Sequence, residues 1–489
     1  MRFAMSNVAV LAKIMPVVVA LMLTACASTG TRVPALDLPA PTATHVAGIE
    51  RWWAQFNDPQ LTTLIEETLA ANLDLRLAVA RIDEARANLR LARSNLYPSL
   101  DADFGARRAR NSQSTEFVFP GPSITTGYTA GLQAAYEVDL WGRLASGRDA
   151  AQAELLATRY SAETVRTALA AQVASTYFAL RAFDAELQIA RDSLGTRAEN
   201  VKLQKQRFDA GLVGEYEVRL SEAERSSVAA VIPALERSIA QTEAALAVLA
   251  GRSAREVYTP KVARGNELAT AAMVLEVPPG LPADLLARRP DIRQAEANLV
   301  AASARIDEAR AQYFPSLILT GRFGGESSDL SDLFSAPARV WSIAGSLLQP
   351  IIAAGRIGSQ VDAATARRDQ AEIGYVQSVQ AAFRDAHDAL VALRSARDIF
   401  VAQDDRRTQL IGALRLSDLR YKSGYSSFID VLDNQRNLLD AERARVNALR
   451  DRQTALVDLY KALGGGWSPE VFAQSAAQPA AQTSAALAR

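Results

Sequence analysis

The feature that most narrows the folds open to this chain is that it repeats itself. Gly142-Arg143 recurs as Gly355-Arg356, 213 residues on. The same offset carries Arg207-Phe208-Asp209-Ala210-Gly211 onto Arg420-Tyr421-Lys422-Ser423-Gly424, Val218 onto Val431, and Leu249-Ala250-Gly251 onto Ala462-Leu463-Gly464. One register held over so long a span marks a tandem duplication. Upstream, Tyr97-Pro98-Ser99-Leu100 recurs as Phe314-Pro315-Ser316-Leu317 at an offset of 217, so the first copy holds four extra residues between its Pro-Ser-Leu and its Gly-Arg. An insertion of that kind belongs in an exposed loop. The octapeptide Ala-Arg-Ile-Asp-Glu-Ala-Arg-Ala occurs at 80–87 and again at 304–311, an offset of 224. That is one heptad from 217, and a slide of seven on a helix keeps the same face, so it counts as drift within one duplication.

Each copy predicts the order helix, extended pair, long helix, turn, long helix. In the first, Leu75, Ala78, Ile82, Ala85, Leu89, Ala92 and Leu96 are spaced three and four apart, as in the seam of a coiled coil. Leu169, Val173, Thr176, Leu180, Phe183, Leu187, Ala190 and Leu194 repeat the pattern, as do Val228, Ile232, Leu235, Ile239, Thr242, Leu246 and Leu249. Pro233 should bend that last helix, and Gly195 is a candidate interruption of the one before it. No proline falls between Pro122 and Pro233, so helix is expected from Arg143 to Phe208, on the order of 100 Å of rod. A compact monomer cannot wrap such a helix around its own core.

Between the helices the period falls to two. Leu100, Ala102, Phe104 and Ala106 alternate with Asp101, Asp103, Gly105 and Arg107; Tyr128, Ala130, Leu132, Ala134 and Tyr136 alternate with Thr129, Gln133 and Ala135. The second copy offers Leu317, Leu319 and Phe323 against Thr320, Arg322 and Gly324, then a stretch from Arg339 to Leu348 containing Trp341. Strands of about 10 residues with this pattern suit a transmembrane β-barrel, apolar toward lipid and polar toward a wet lumen; surface hairpins packed on helices are the plainer alternative. Four strands cannot close a barrel, and open edges are not tolerated in hydrocarbon. Two, three or four copies would supply enough strands, and the count alone does not choose.

At the start of the chain, Arg2 and Lys13 precede an apolar run from Ile14 to Leu23 and then Leu23-Thr24-Ala25-Cys26. The run is too short to span a bilayer and suits a secretory signal peptide. Cys26 is the only cysteine, so no disulfide forms within the chain. Without residues 1–25 the formal net charge changes from zero to −2, which leaves no electrostatic case for a nucleic-acid partner. His45 and His387 stand far apart, and Met1, Met5, Met15 and Met22 lie in the leader. No metal site, cofactor or catalytic constellation is expected, and the chain does not read as an enzyme.

These residues resemble the TolC-like outer membrane factors, specifically the lipoprotein branch serving resistance-nodulation-division pumps. The resemblance rests on Arg51-Trp52-Trp53 with Phe56, Asp58-Pro59 and Leu61, on the two Pro-Ser-Leu segments, and on Tyr136-Glu137-Val138-Asp139-Leu140-Trp141-Gly142-Arg143. Leu285-Leu286-Ala287-Arg288-Arg289-Pro290-Asp291-Ile292 and Tyr421-Lys422-Ser423-Gly424 leading to Asp430-Val431-Leu432-Asp433 complete it. It implies a mixed α and β fold in which three chains, four strands from each, close a 12-stranded transmembrane β-barrel continuous with a long periplasmic α-helical coiled-coil barrel. Small residues followed by cysteine resemble the bacterial lipobox, so Cys26 is the implied lipid attachment. Ala27, where an aspartate is associated with inner-membrane retention, points to the outer membrane.

The resemblance further implies a gate at the periplasmic tip, mapping to Arg420, Tyr421 and Asp433. Their first-copy counterparts are Arg207, Phe208 and Leu220, so only the second copy carries the phenol and the acid. A solvated surface ion pair is the plainer reading of Arg420 and Asp433. Gly211, Gly214 and Gly424 fall at the helix turns, where glycine permits positive φ and where the family docks a periplasmic adaptor (membrane fusion) protein. The implied partners are two further copies of the chain, that adaptor, an inner-membrane pump and outer-membrane lipid. The expected divisions are a signal peptide at 1–25, a lipidated arm at 26–57 and a first repeat at 58–251, with its β-hairpin at about 98–139. An equatorial linker at 252–283, a second repeat at 284–464 with a hairpin at about 315–349, and a disordered tail at 465–489 follow. The expected function is a passive exit duct for drugs or other small molecules. A duct for type I protein secretion and a purely structural coiled-coil lipoprotein are the alternatives.

Overall fold

The computed structural model describes Pro34, residues 49–110, Ser112, residues 123–268 and residues 288–467. Cys26, the expected signal peptide, Asn111, residues 113–122, residues 269–287 and the tail from 468 lie outside the described residues. A 3-10 turn at Ile49–Phe56 precedes α1 (Pro59–Ala71), α2 (Leu73–Ser94), β1 (Ser99–Arg110), β2 (Ile124–Val138), α3 (Arg143–Asp209), α4 (Glu215–Leu249) and the short α5 (Ala254–Tyr258). The second copy supplies α6 (Pro290–Ala311), β3 (Ser316–Ser327), β4 (Arg339–Leu348), α7 (Arg356–Lys422) and α8 (Phe428–Ala462).

The duplication fixes these boundaries to the residue. Both ends of α3 and α4 map onto those of α7 and α8 at an offset of 213, and α2 and β1 map onto α6 and β3 at 217. Six of the positive-φ glycines pair likewise, Gly142 with Gly355, Gly211 with Gly424, and Gly251 with Gly464, while Gly466 stands opposite Ser253. A contact is repeated with different chemistry. Asn72 donates to the carbonyl of Leu249 at 2.8 Å, and its counterpart Arg289 donates to the carbonyl of Ala462 at 3.2 Å.

Gly195, the candidate interruption, does not break its helix, and the helix holding Pro233 is continuous. α3 runs 67 residues through Gly195, and α4 runs 35 residues through Pro233. Pro233 removes the hydrogen bond to the carbonyl of Ala229, and both residues are exposed, so water can serve that carbonyl.

The chain forms two compact units, each built from both copies. The first, holding residues 82–158 and 295–375, contains one antiparallel sheet in the order β1-β2-β3-β4. Its register sorts the side chains by face. Ala102, Leu132, Phe323 and Trp341 form one cross-strand row, and Asp101, Gln133, Arg322 and Ser342 form the next, on the opposite face. Every leucine, phenylalanine, tyrosine and tryptophan singled out from the period-two pattern falls on the first face, and Ala135 falls on the second. Phe104, Phe323, Trp341 and Ile343 are exposed there, while Arg322 reaches Asp103 at 3.1 Å on the other.

Below the sheet, the motif from Glu137 to Arg143 starts α3. Arg143 holds Glu137 through two hydrogen bonds, and Asp139 accepts the N–H groups of Leu144 and Ala145 at 3.0 and 2.8 Å. Trp141 stacks on Phe314 at 4.8 Å and donates to the carbonyl of Pro315.

The second unit, holding the described residues of 49–81, 159–294 and 376–467, contains the main core. Trp52, Trp53 and Phe56 are buried in it, with Trp52 stacked on Tyr460 at 5.6 Å and Phe56 against Phe178 at 5.0 Å. Asp58 caps α1, accepting from the N–H groups of Gln60 and Leu61, and its other oxygen accepts from the Tyr177 hydroxyl at 2.9 Å. That hydroxyl in turn accepts the N–H of Gly265 at 2.9 Å. Burial pushes the Tyr177 phenol well above its ordinary value, so it stays a neutral donor. The expected linker is thereby pinned where it is described.

Candidate gate at the helix turns

Each long hairpin turns through a Schellman motif, in which a glycine with positive φ lets two amides satisfy the last helical carbonyls. Gly211 and Leu212 donate to the carbonyls of Phe208 and Arg207, both at 2.8 Å. Gly424 and Tyr425 donate to those of Tyr421 and Arg420, at 3.0 and 2.8 Å. Positive φ at Gly211 and Gly424 is therefore a requirement of the turn. Gly214 departs from the expectation: its φ is −84°, and it is the N-cap of α4, its N–H donating to Glu217. Its counterpart is Ser427, which makes a side-chain capping box with Asp430, so the position needs a cap and not glycine.

Among the expected gate residues, the structure holds Tyr421 and leaves the other two facing out. The Tyr421 hydroxyl accepts from Arg207 at 2.8 Å and Gln204 at 3.1 Å, and the Arg207 guanidinium lies 5.1 Å from the ring centre. The ring packs on Phe428 at 5.4 Å, beside Val431, Leu432 and Leu220. Tyr421 thus ties the second-copy hairpin to the first. Arg420 is exposed and its side chain finds no partner among the described residues. Asp433 is exposed and pairs with Arg436 at 2.9 Å, one helical turn away, not with Arg420.

Behind this surface lies a polar ladder joining the two hairpins. Arg436 pairs with Glu224, which is 8% exposed. Arg197 and Asn200 both donate to Gln435, at 2.7 and 3.2 Å. Deeper, Arg443 and Asn447 donate to the buried carboxylate of Glu186, at 3.1 and 2.9 Å. The hydrogen bond from Arg436 holds the Glu224 carboxyl below its ordinary value, with Arg197 assisting and burial opposing.

Periodicity does not reveal this ladder, because its members sit at helical spacing like any solvated face. Comparing the copies would have exposed it. Glu224 and Arg436 stand against Asn437 and Ala223 at the common offset. No cluster of metal-ligating side chains occurs among the described residues.

Residues 64–252 and 281–465 each match the outer membrane efflux protein family, one match per copy. The chain is 36% identical over 414 residues to the solvent efflux pump outer membrane protein SrpC of Pseudomonas putida, covering 84% of this chain and 87% of that one. It is 32% identical over 466 residues to the cation efflux system protein CusC of Escherichia coli, covering 93% and 99%. The open-state MtrE outer membrane channel of Neisseria gonorrhoeae superposes with a TM-score of 0.77 at 33% identity, over 90% of this chain and 99% of that one. With the duplicated helical hairpins and the two-faced sheet already in place, these likenesses make the chain a member of the outer membrane efflux protein family, a TolC-like channel protein of the outer membrane.

Proposed function

We propose that the chain is the outer-membrane exit duct of a tripartite efflux pump, passive in itself and opened at its helix turns by a periplasmic adaptor. The observation that carries the reading is the sheet. Its two faces are sorted, with leucine, phenylalanine, tyrosine and tryptophan on one and Asp101, Asp103, Gln133 and Arg322 on the other, while β1 and β4 remain open edges of 12 and 10 residues. Such edges cannot rest in hydrocarbon, so copies must join edge to edge. Three copies would close a 12-stranded barrel with Asp101, Asp103, Gln133 and Arg322 toward water. Cys26 would carry the lipid anchor, and an inner-membrane pump would supply both energy and selectivity.

Opening needs two arrangements of the hairpins separated by a few kcal/mol, one of them stabilised by the adaptor. Arg420 and Asp433 are exposed on adjoining ends of α7 and α8 and are not bonded to each other within the chain, and the exposed pair of Asp433 with Arg436 is one that a neighbouring copy can exchange. They form the latch in this reading, with Tyr421 holding the two hairpins of one chain together and Gly211, Gly214 and Gly424 shaping the turns the adaptor meets. Replacing Asp433 with alanine should raise the ion conductance of the purified protein in planar bilayers. Conductance indistinguishable from the wild type would remove Asp433 from the latch. The secretion alternative keeps the duct and changes the cargo; the names of SrpC and CusC, a solvent and a cation efflux component, favour the small-solute branch.

A further inference from the structure

On the apolar face of the sheet, charge is confined to one end of the strands. Following the register, that face carries the even-numbered residues from Leu100 to Arg110 and from Ile124 to Val138, with the odd-numbered residues from Leu317 to Ser327 and from Arg339 to Leu347. Its only charged side chains are Arg108, Arg110 and Arg339, and it holds no acid. All three lie toward the β1–β2 and β3–β4 connections, the end remote from the helices. All three are exposed, and none has an ion-pair partner among the described residues. The opposite face, by contrast, mixes Asp101, Asp103, Glu137 and Glu326 with Arg107 and Arg322.

Distance along the strand places them at a boundary. From Leu347 to Arg339 is eight residues, roughly 27 Å of strand and about 21 Å of height at a barrel-like tilt, against an apolar band about 25 Å tall. Arg339 therefore reaches the rim of the band with its flexible stem, and Arg108 and Arg110 stand four and six residues beyond Phe104. The arginines also fall on β1 and β4, the two open edges, and on neither central strand. Closing a ring of copies sets β4 of one chain, with Arg339, beside β1 of the next, with Arg108 and Arg110. Three guanidinium groups at one seam repel each other unless an anion sits among them, and the guanidinium fork matches a phosphate through paired N–H bonds.

We propose that Arg108, Arg110 and Arg339 form a seam site for phosphorylated headgroups of the outer-leaflet lipid. The proposal rests on the barrel reading above, and its test separates the two. Full-length protein in detergent micelles is mixed with diphosphorylated lipid A or its fully dephosphorylated form, and the lipid retained on trimers is read by native mass spectrometry. Wild type should retain the phosphorylated form in about tenfold excess, an excess that shrinks as salt is raised. The triple variant Arg108→Gln, Arg110→Gln, Arg339→Gln should bring the ratio to about one, with its heat-modifiable trimer and conductance intact. Equal retention of both lipids by the wild type overturns the proposal whether or not the variant folds. So does a variant that keeps the preference, or displacement of the lipid by millimolar inorganic phosphate. A wild type that forms neither trimer nor channel overturns the barrel reading itself, and the seam with it.

Discussion

Gly265→Ala isolates the packing of the pinned linker. A methyl group on Gly265 would stand 2.0 Å from Asp58 Oδ1 and 2.5 Å from Oδ2. Asp58 is 3% exposed and caps α1, so its carboxylate has no empty side to turn toward. Either the carboxylate abandons its partners or the segment at 261–268 lifts. Losing the cap costs about 1 kcal/mol, and losing the Tyr177 hydrogen bond to a charged acceptor costs about 1.5–3 kcal/mol. Together these come to about 2.5–4 kcal/mol of local stability, which converts to about two to three orders of magnitude in opening equilibrium at about 1.4 kcal/mol per decade. Hydrogen–deuterium exchange reads this directly. Peptides covering 261–268 and the first turn of α1 should lose protection by that factor, while the turn at 209–215 keeps its own. Gly195→Ala is the matched control: nothing lies within 4 Å of the added carbon, and alanine inside a helix is favoured by about 0.5–1 kcal/mol. If Gly265→Ala leaves both peptides as protected as in the wild type, the close-packing argument is refuted.

Two further outcomes are expected at the helix turns. Glu224 is held below its ordinary value of 4.5, so its contribution to stability is present above that pH and is lost as pH falls through the lowered value. Acidification below about 4.5 should therefore increase protease cleavage in the 209–215 and 422–428 turns, and Glu224→Gln should flatten that dependence; an unchanged acid response would assign it elsewhere. Tyr421→Phe keeps the ring against Phe428 but removes the acceptor of Arg207 and Gln204, at a cost of about 1–2 kcal/mol. Bilayer conductance should rise, less than for Tyr421→Ala; equal conductance in all three proteins would divorce this tyrosine from gating.

Element boundaries were readable from the sequence because the two copies report on each other. Arg143 and Arg356, or Gly211 and Gly424, mark the same structural event twice, so a signal too weak in one copy becomes firm in both. The strand faces were readable because a period of two leaves no second assignment once charges such as Asp101, Asp103 and Arg322 alternate with leucine and phenylalanine. Contacts distant in sequence were not readable. Nothing local to Asp58, Tyr177 or Gly265 says that they meet, because each is ordinary at its own position, an N-cap acid, a helical aromatic and a loop glycine. At Gly214 the sequence suggests conformational freedom where the position asks for a cap, a distinction only φ reveals. Asn72 and Arg289 show the limit from another side: one role, capture of a helix-terminal carbonyl, served by two side chains that no residue-by-residue comparison would equate.

Equal helix lengths in the two copies restrict how this chain can change over generations. α3 and α7 both span 67 residues, α4 and α8 both span 35, and α2 and α6 both span 22. An insertion in one rod alone would carry its turn away from the turn it is bonded to through Tyr421 and Arg207, and would turn its apolar seam off the neighbouring helix unless it came in sevens. The drifting octapeptide shows what remains free. Between α2 and α6 a stretch of sequence has slid by a full heptad while neither helix gained or lost a residue, so wording can move along these rods but their measure cannot.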